Sequence, residues 1–123
     1  MIEYKEIAFT AYPVTDIARA RKFYEGILGL KPNAPLKSET QPFIEYNVGP
    51  GTLAIGCSEQ WKPSLDGPST ALEVEDFDAA VETLRLHKVE TIIGPLDNPT
   101  CQMVTFRDPD GNKLTLHRRK TAS

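Results

Sequence analysis

Two histidines and two cysteines in 123 residues leave little material for a metal centre or a disulfide framework. Cys57 and Cys101 stand alone, without the short spacing of metal-ligand pairs, and the N-terminus has no signal-peptide layout. The expectation is a cytoplasmic protein with both thiols reduced. Basic residues are also in short supply: 14 against 17 acidic ones, net charge −3, with no basic block or stripe. That argues against nucleic acid or an anionic membrane as partner. The longest apolar runs are a few residues, far short of a bilayer span.

What remains is an ordinary globular composition, 40% hydrophobic and 25% charged. A chain of this length suits one compact globule with a real core, and not two independent domains. Within it lies an internal repeat. Ala11-Tyr-Pro-Val14-Thr-Asp16 falls over Ala71-Leu-Glu-Val74-Glu-Asp76 at an offset of sixty residues, and Gly51 falls over Gly111. One domain over 1–123, built from modules 4–58 and 69–119 joined by loop 59–68, is the predicted organisation. Each helix needs a sheet face for its apolar stripe, so two such modules would leave two further faces around a shared cleft.

The first module reads as a strand over 4–14, ending at Pro13 where proline tolerates only a strand end or edge. Asp16 is placed to cap a helix whose apolar face is Ile17, Ala20, Phe23, Tyr24, Ile27 and Leu28, with Gly29 as its left-handed C-cap. A further strand is expected near 31–36. Residues 42–48 and 52–58 read as strands around Gly49-Pro-Gly51. The second module repeats the order: a strand at 69–75, a helix capped by Asp76 with face Phe77, Ala80, Val81 and Leu84, then strands at 89–94, 101–107 and 112–118. Asp108-Pro-Asp-Gly-Asn112 is a turn in which Asx side chains bond their own backbone. His87 and Lys88 suit the C-terminal end of the second helix. The order is β-α-β-β-β twice, an α+β fold.

Tyr12-Pro-Val-Thr-Asp16, followed by Ala20-Arg-Lys-Phe-Tyr-Glu-Gly-Ile-Leu-Gly-Leu30, resembles the first module of the vicinal oxygen chelate superfamily. Its members include glyoxalase I, bleomycin-resistance proteins and extradiol dioxygenases. Asp108-Pro-Asp-Gly-Asn-Lys-Leu-Thr-Leu116 resembles that family's terminal hairpin. The resemblance spans nearly the whole chain and implies the glyoxalase/bleomycin-resistance fold. It speaks less for activity, since fold and function separate readily. Metal enzymes of the family hold a divalent ion with four side chains, typically His or Glu. Matched motif by motif, those positions fall on Phe9, Ala54, Ser69 and Thr115, with Gly56 as the alternative to Ala54. Phenylalanine and alanine offer no donor, and neutral hydroxyls are feeble ones. The expectation is therefore no metal and no cofactor.

Strand alternation extends the same face to Ile7, Ala11, Ala71, Glu73 and His117. Glu73 and His117 are the candidate catalytic pair, an acid–base couple or a poor two-ligand metal site. The alternative leaves His117 in solvent at a strand end, ahead of Arg118-Arg119-Lys120. Phe9, Ala54, Ser69, Thr115 and the loop residue Trp61 are the candidate ligand-binding residues. Phe9 reads equally as core filler, and Trp61 as a loop or dimer anchor. Of the strand 42–48, Glu45 and Asn47 share one face and Ile44 and Tyr46 the other, with the cleft side open. Cys57 should point toward the helix.

Three functions stand. The first is a metal-free protein binding a small, largely apolar or aromatic molecule, which the resemblance implies as a homodimer. The second is a lyase, isomerase or dioxygenase of the same superfamily using Glu73 and His117 or an atypical metal site. The third is a scaffold or interaction module.

Overall fold

The computed structural model describes residues 1–120 of the 123. The chain forms two compact units, Met1–Lys62 and a second from Pro63 onward. The first contains β1 (Thr10–Pro13), α1 (Ile17–Arg21), a wider π-helical continuation (Lys22–Ile27), β2 (Phe43–Val48) and β3 (Gly51–Gly56). The second contains β4 (Thr70–Glu73), α2 (Phe77–Leu86), β5 (Thr91–Asp97), β6 (Cys101–Arg107) and β7 (Lys113–Arg119).

Both helices start where their aspartates allow. Asp16 Oδ1 accepts the N–H of Arg19 and Asp76 Oδ1 that of Ala79, each at 3.0 Å, satisfying an otherwise orphaned helix donor. Ile17, Ala20, Phe23 and Tyr24 of the first helix, and Phe77 and Leu84 of the second, are buried. Gly29 takes a φ of 73° beyond the first helix, as a left-handed cap requires.

The first sheet has strand order β1-β3-β2 and the second β4-β7-β6-β5. β1 runs parallel to β3, with Ala11 opposite Ala54, and β4 runs parallel to β7, with Ala71 opposite Thr115. Pro13 lies on an edge strand, where its missing N–H costs no ladder bond. The hairpin β6–β7 closes on Asp108, whose Oδ1 accepts the N–H groups of Asp110 and Asn112, both at 2.9 Å.

Several strands differ from expectation. Residues 31–36 form no strand among the described residues; Pro32 makes a single bridge to Tyr46. Pro32 and Pro35 lack the N–H groups a ladder needs. The first strand covers only Thr10–Pro13 and not 4–14. Its partner β3 begins at Gly51, and Thr10 already sits opposite Leu53, so earlier residues soon outrun the neighbouring strand. β5 starts later and runs further than expected, through register shifts between Thr91 and Leu96.

Candidate functional site

Strand alternation gives each sheet one face toward its helix and one face away from it. In the second unit Val104, Phe106, Leu114 and Leu116 are buried on the helix side. Thr105 pairs with Thr115 and Met103 with His117 across β6–β7, while Ala71 and Glu73 pair with Thr115 and His117 across β4–β7. These residues therefore share the face turned away from α2. Three hydroxyls are linked across it: Ser69 Oγ lies 2.7 Å from Thr115 Oγ1, which lies 2.9 Å from Thr105 Oγ1. Thr105 and Thr115 are buried.

Beside the hydroxyls, His117 Nδ1 lies 2.6 Å from Glu73 Oε1. The other oxygen, Oε2, accepts the backbone N–H of Arg119. That backbone donor, and then His117, hold the Glu73 carboxyl below its ordinary range by favouring the charged form. A carboxylate on Nδ1 fixes the ring orientation and turns Nε2 outward as the nitrogen able to exchange a proton. The His117 side chain keeps 22% of its surface exposed. His87, by contrast, is an exposed residue at the C-cap of α2, away from this group.

In the first unit Leu53, Ile55, Ile44 and Tyr46 are buried on the helix side. Phe43 lies opposite Gly56, Glu45 opposite Ala54 and Asn47 opposite Thr52, so these three occupy the other face. Ala54 itself is fully buried. Phe9 stacks edge-to-face on Phe43, with ring centroids 5.8 Å apart and an interplanar angle of 75°. At 48% exposure Phe9 fills no core. Trp61 forms a bridge with Ser58 and brings its ring beside Gly56. Cys57 points to the helix side, where it lines a cavity of about 280 Å³ with Asp16, Ile17, Ala18, Glu39, Thr40 and Pro42.

The two units carry matching hydrogen bonds. Val14 N–H donates to Gly56 O and Val74 N–H to His117 O, both at 2.8 Å. Together with the strand registers, these equate Ala54 with Thr115 and Gly56 with His117. Phe43, Glu45 and Thr105 joined the site only through the structure. Counting back through each hairpin turn would have paired Glu45 with Ala54 and Thr105 with Thr115.

Residues 6–116 match the profile of the Glyoxalase/Bleomycin resistance protein/Dioxygenase superfamily. The chain belongs to this superfamily. A lactoylglutathione lyase of Haemophilus influenzae is 26% identical over 127 aligned positions, covering 94% of each protein. Among solved structures, a glyoxalase/dioxygenase from Nostoc punctiforme superposes with a TM-score of 0.78 at 20% identity, covering 95% of this chain and 92% of that one. TnmS3, an antibiotic binding protein from Streptomyces sp. CB03234, gives 0.78 at 21%, covering 98% of this chain and all of that one. At such identities the structures establish the α+β glyoxalase fold.

The residues that the resemblance assigns to the metal positions do not suit a divalent ion. Phe9 and Ala54 present carbon only. Ser69 and Thr115 present neutral hydroxyls already engaged with one another, and Thr115 is shared with Thr105. Among the described residues, no three of His, Cys, Asp and Glu gather into a group that could hold a metal. Glu73 and His117 are two donors, and each already occupies the other.

Proposed function

We infer that this superfamily member binds a small, largely apolar or aromatic molecule without a metal ion. The hydroxyl chain Ser69–Thr115–Thr105 carries that reading: where a metal-dependent relative needs imidazole or carboxylate, this chain places hydroxyls that satisfy one another. The exposed aromatic residues Phe9, Phe43 and Trp61 supply apolar contact area for a ligand. An antibiotic binding protein with the same fold is a precedent for the class. The partner copy expected of such relatives would be a second molecule of this chain. Free Cys57 and Cys101 suit a reducing compartment such as the cytoplasm. No helix among the described residues is long and apolar enough to cross a membrane.

Thermal melting tests the reading directly. A ligand at a hundred times its Kd adds about 2.7 kcal/mol of stability, which raises Tm by several degrees in a domain of this size. A panel of flat aromatic and apolar compounds should contain saturable stabilisers, while Zn²⁺, Ni²⁺ and Mn²⁺ should give no shift. A saturable shift with one of these metals, at one ion per chain, would overturn the metal-free reading.

One observation favours a second reading, an enzyme. The Glu73–His117 contact has the geometry of an oriented base, with the carboxylate fixing the imidazole and a backbone N–H fixing the carboxylate. Such a pair suits proton abstraction and return, the chemistry of a lyase or isomerase. If turnover of a bound compound is found, Glu73→Gln should abolish it while binding persists. Turnover unchanged in that variant removes the pair from the mechanism.

A further inference from the structure

Two exposed aromatic residues of the first unit meet at one glycine. A Cβ built at Gly56 would lie 2.9 Å from Trp61 Cζ3 and 3.1 Å from Phe43 Cδ1, so both rings sit against bare backbone. Phe9 packs edge-to-face with Phe43. The three rings remain 48%, 39% and 38% exposed for Phe9, Phe43 and Trp61. Large aromatic groups gathered this way and left facing solvent mark a binding surface.

A negative charge stands beside them. Glu45 lies two residues along β2 from Phe43, on the same face, about 7 Å further at the usual rise of a strand. It lies opposite Ala54 in the ladder and is itself partly exposed. Its carboxylate has no hydrogen-bond or ion-pair partner among the described residues. Phe43 and Glu45 also line a cavity of about 170 Å³ with Gln41 and the segment 32–37. Lys37 is the basic residue on that wall, is exposed, and forms no ion pair with Glu45.

Aromatic rings beside an unneutralised carboxylate are complementary to one ligand chemistry. The rings attract a delocalised positive charge through their quadrupoles, and the carboxylate supplies a counter-ion. A neutral arene would gain only the rings, and an anion would meet repulsion. We propose that this face binds a flat aromatic cation, stacked against Phe9, Phe43 and Trp61 with its charge held at Glu45. The proposal rests on the small-molecule reading above and names its ligand class.

Trp61 is the only tryptophan in the chain, so its emission reports on this face alone. Three tricyclic probes of equal size separate charge from shape: N-methylacridinium, 9-hydroxymethylanthracene and anthracene-9-carboxylate. Titration should show saturable quenching by the acridinium, with affinity about three- to tenfold above the neutral probe and further above the anion. That preference should shrink as salt rises, in the unaltered protein. Glu45→Gln should erase it with Tm unchanged, whereas the charge control Glu82→Gln should keep it. Equal affinity for the neutral or anionic probe, or a preference that survives Glu45→Gln or high salt, overturns the cation assignment and leaves small-molecule binding standing. Failure of all three probes, while other compounds raise Tm, overturns this face as the site. If no compound of any class raises Tm, the small-molecule reading itself falls.

Discussion

Glu73 uses both oxygens, one on the Arg119 N–H and one on His117, and both contacts favour its charged form. A carboxyl whose folded value is depressed contributes stability that is present above its unfolded value. That contribution is lost as pH falls through the folded value. The ordinary value is 4.5, so the loss from Glu73 belongs to the acid limb below it. The side chain is 52% exposed, which keeps the effect small through solvent screening. Melting temperatures of the unaltered protein and Glu73→Gln, measured from pH 6 down to about pH 3, should converge as pH falls. A gap that stays constant over that range would mean the carboxylate's charge adds nothing to folding.

At the scale of elements, the first helix is held by its widened end. Leu28 N–H reaches back five residues to Phe23 O, and this continuation carries Tyr24 and Glu25. The Tyr24 ring lies nearly parallel to Tyr46 of β2, at 6.3 Å and 13°, and both are fully buried. Tyr46 donates its hydroxyl to Glu25 Oε2 at 2.9 Å, and Arg21 grips the same carboxylate at 2.8 and 3.1 Å. The guanidinium holds Glu25 low, while burial and then the Glu25 contact push the Tyr46 hydroxyl far up. Tyr46→Phe removes a hydrogen bond whose acceptor keeps Arg21, at a cost of about 1 kcal/mol. Glu25→Ala strands a buried hydroxyl and should cost about 2–3 kcal/mol. Urea denaturation at neutral pH checks the order, and a smaller loss for Glu25→Ala than for Tyr46→Phe would refute it.

The sequence made such elements legible wherever a local signal sufficed. Asp16 and Asp76 announce the helix starts, and Asp108 to Asn112 announces its turn, because each acts on backbone a few residues away. The expected strand at 31–36 failed because Pro32 and Pro35 lack ladder donors, although the segment reads as extended. The length of β1 was not legible, since it depends on where β3 begins beside it. Glu45 was hidden for a similar reason. Its strand sets Ile44, Tyr46 and Val48 on one side and Phe43, Glu45 and Asn47 on the other. Which side meets the helix is decided by tertiary packing, which buries Ile44 and Tyr46 and leaves Glu45 opposite Ala54. The positions Phe9, Ala54, Ser69 and Thr115 came from the resemblance, motif by motif. Glu73 and His117 were paired by strand alternation, and the parallel register of β4 on β7 sets them opposite one another.

For the whole molecule, superfamily membership settles the fold, and the residues at a few positions decide the chemistry. One feature of the surface reaches beyond a single chain. Ile2, Tyr4 and Ile7 precede β1 in the first unit and are 72%, 83% and 82% exposed. Scattered apolar side chains on a surface are ordinary, but these three stand within seven residues just ahead of an edge strand and offer apolar area to a partner. Edge strands offer unpaired backbone groups as well, so these side chains and the edge together favour association with a second copy. Light scattering coupled to size-exclusion chromatography should give twice the 13.7 kDa chain mass at micromolar concentration. Replacing Ile2, Tyr4 and Ile7 by serine should shift the protein to monomer with its circular dichroism unchanged, because none of the three side chains is buried within its own chain. A dimer that survives the triple substitution would place the interface elsewhere, and a monomer before substitution would remove the homodimer from the proposal altogether.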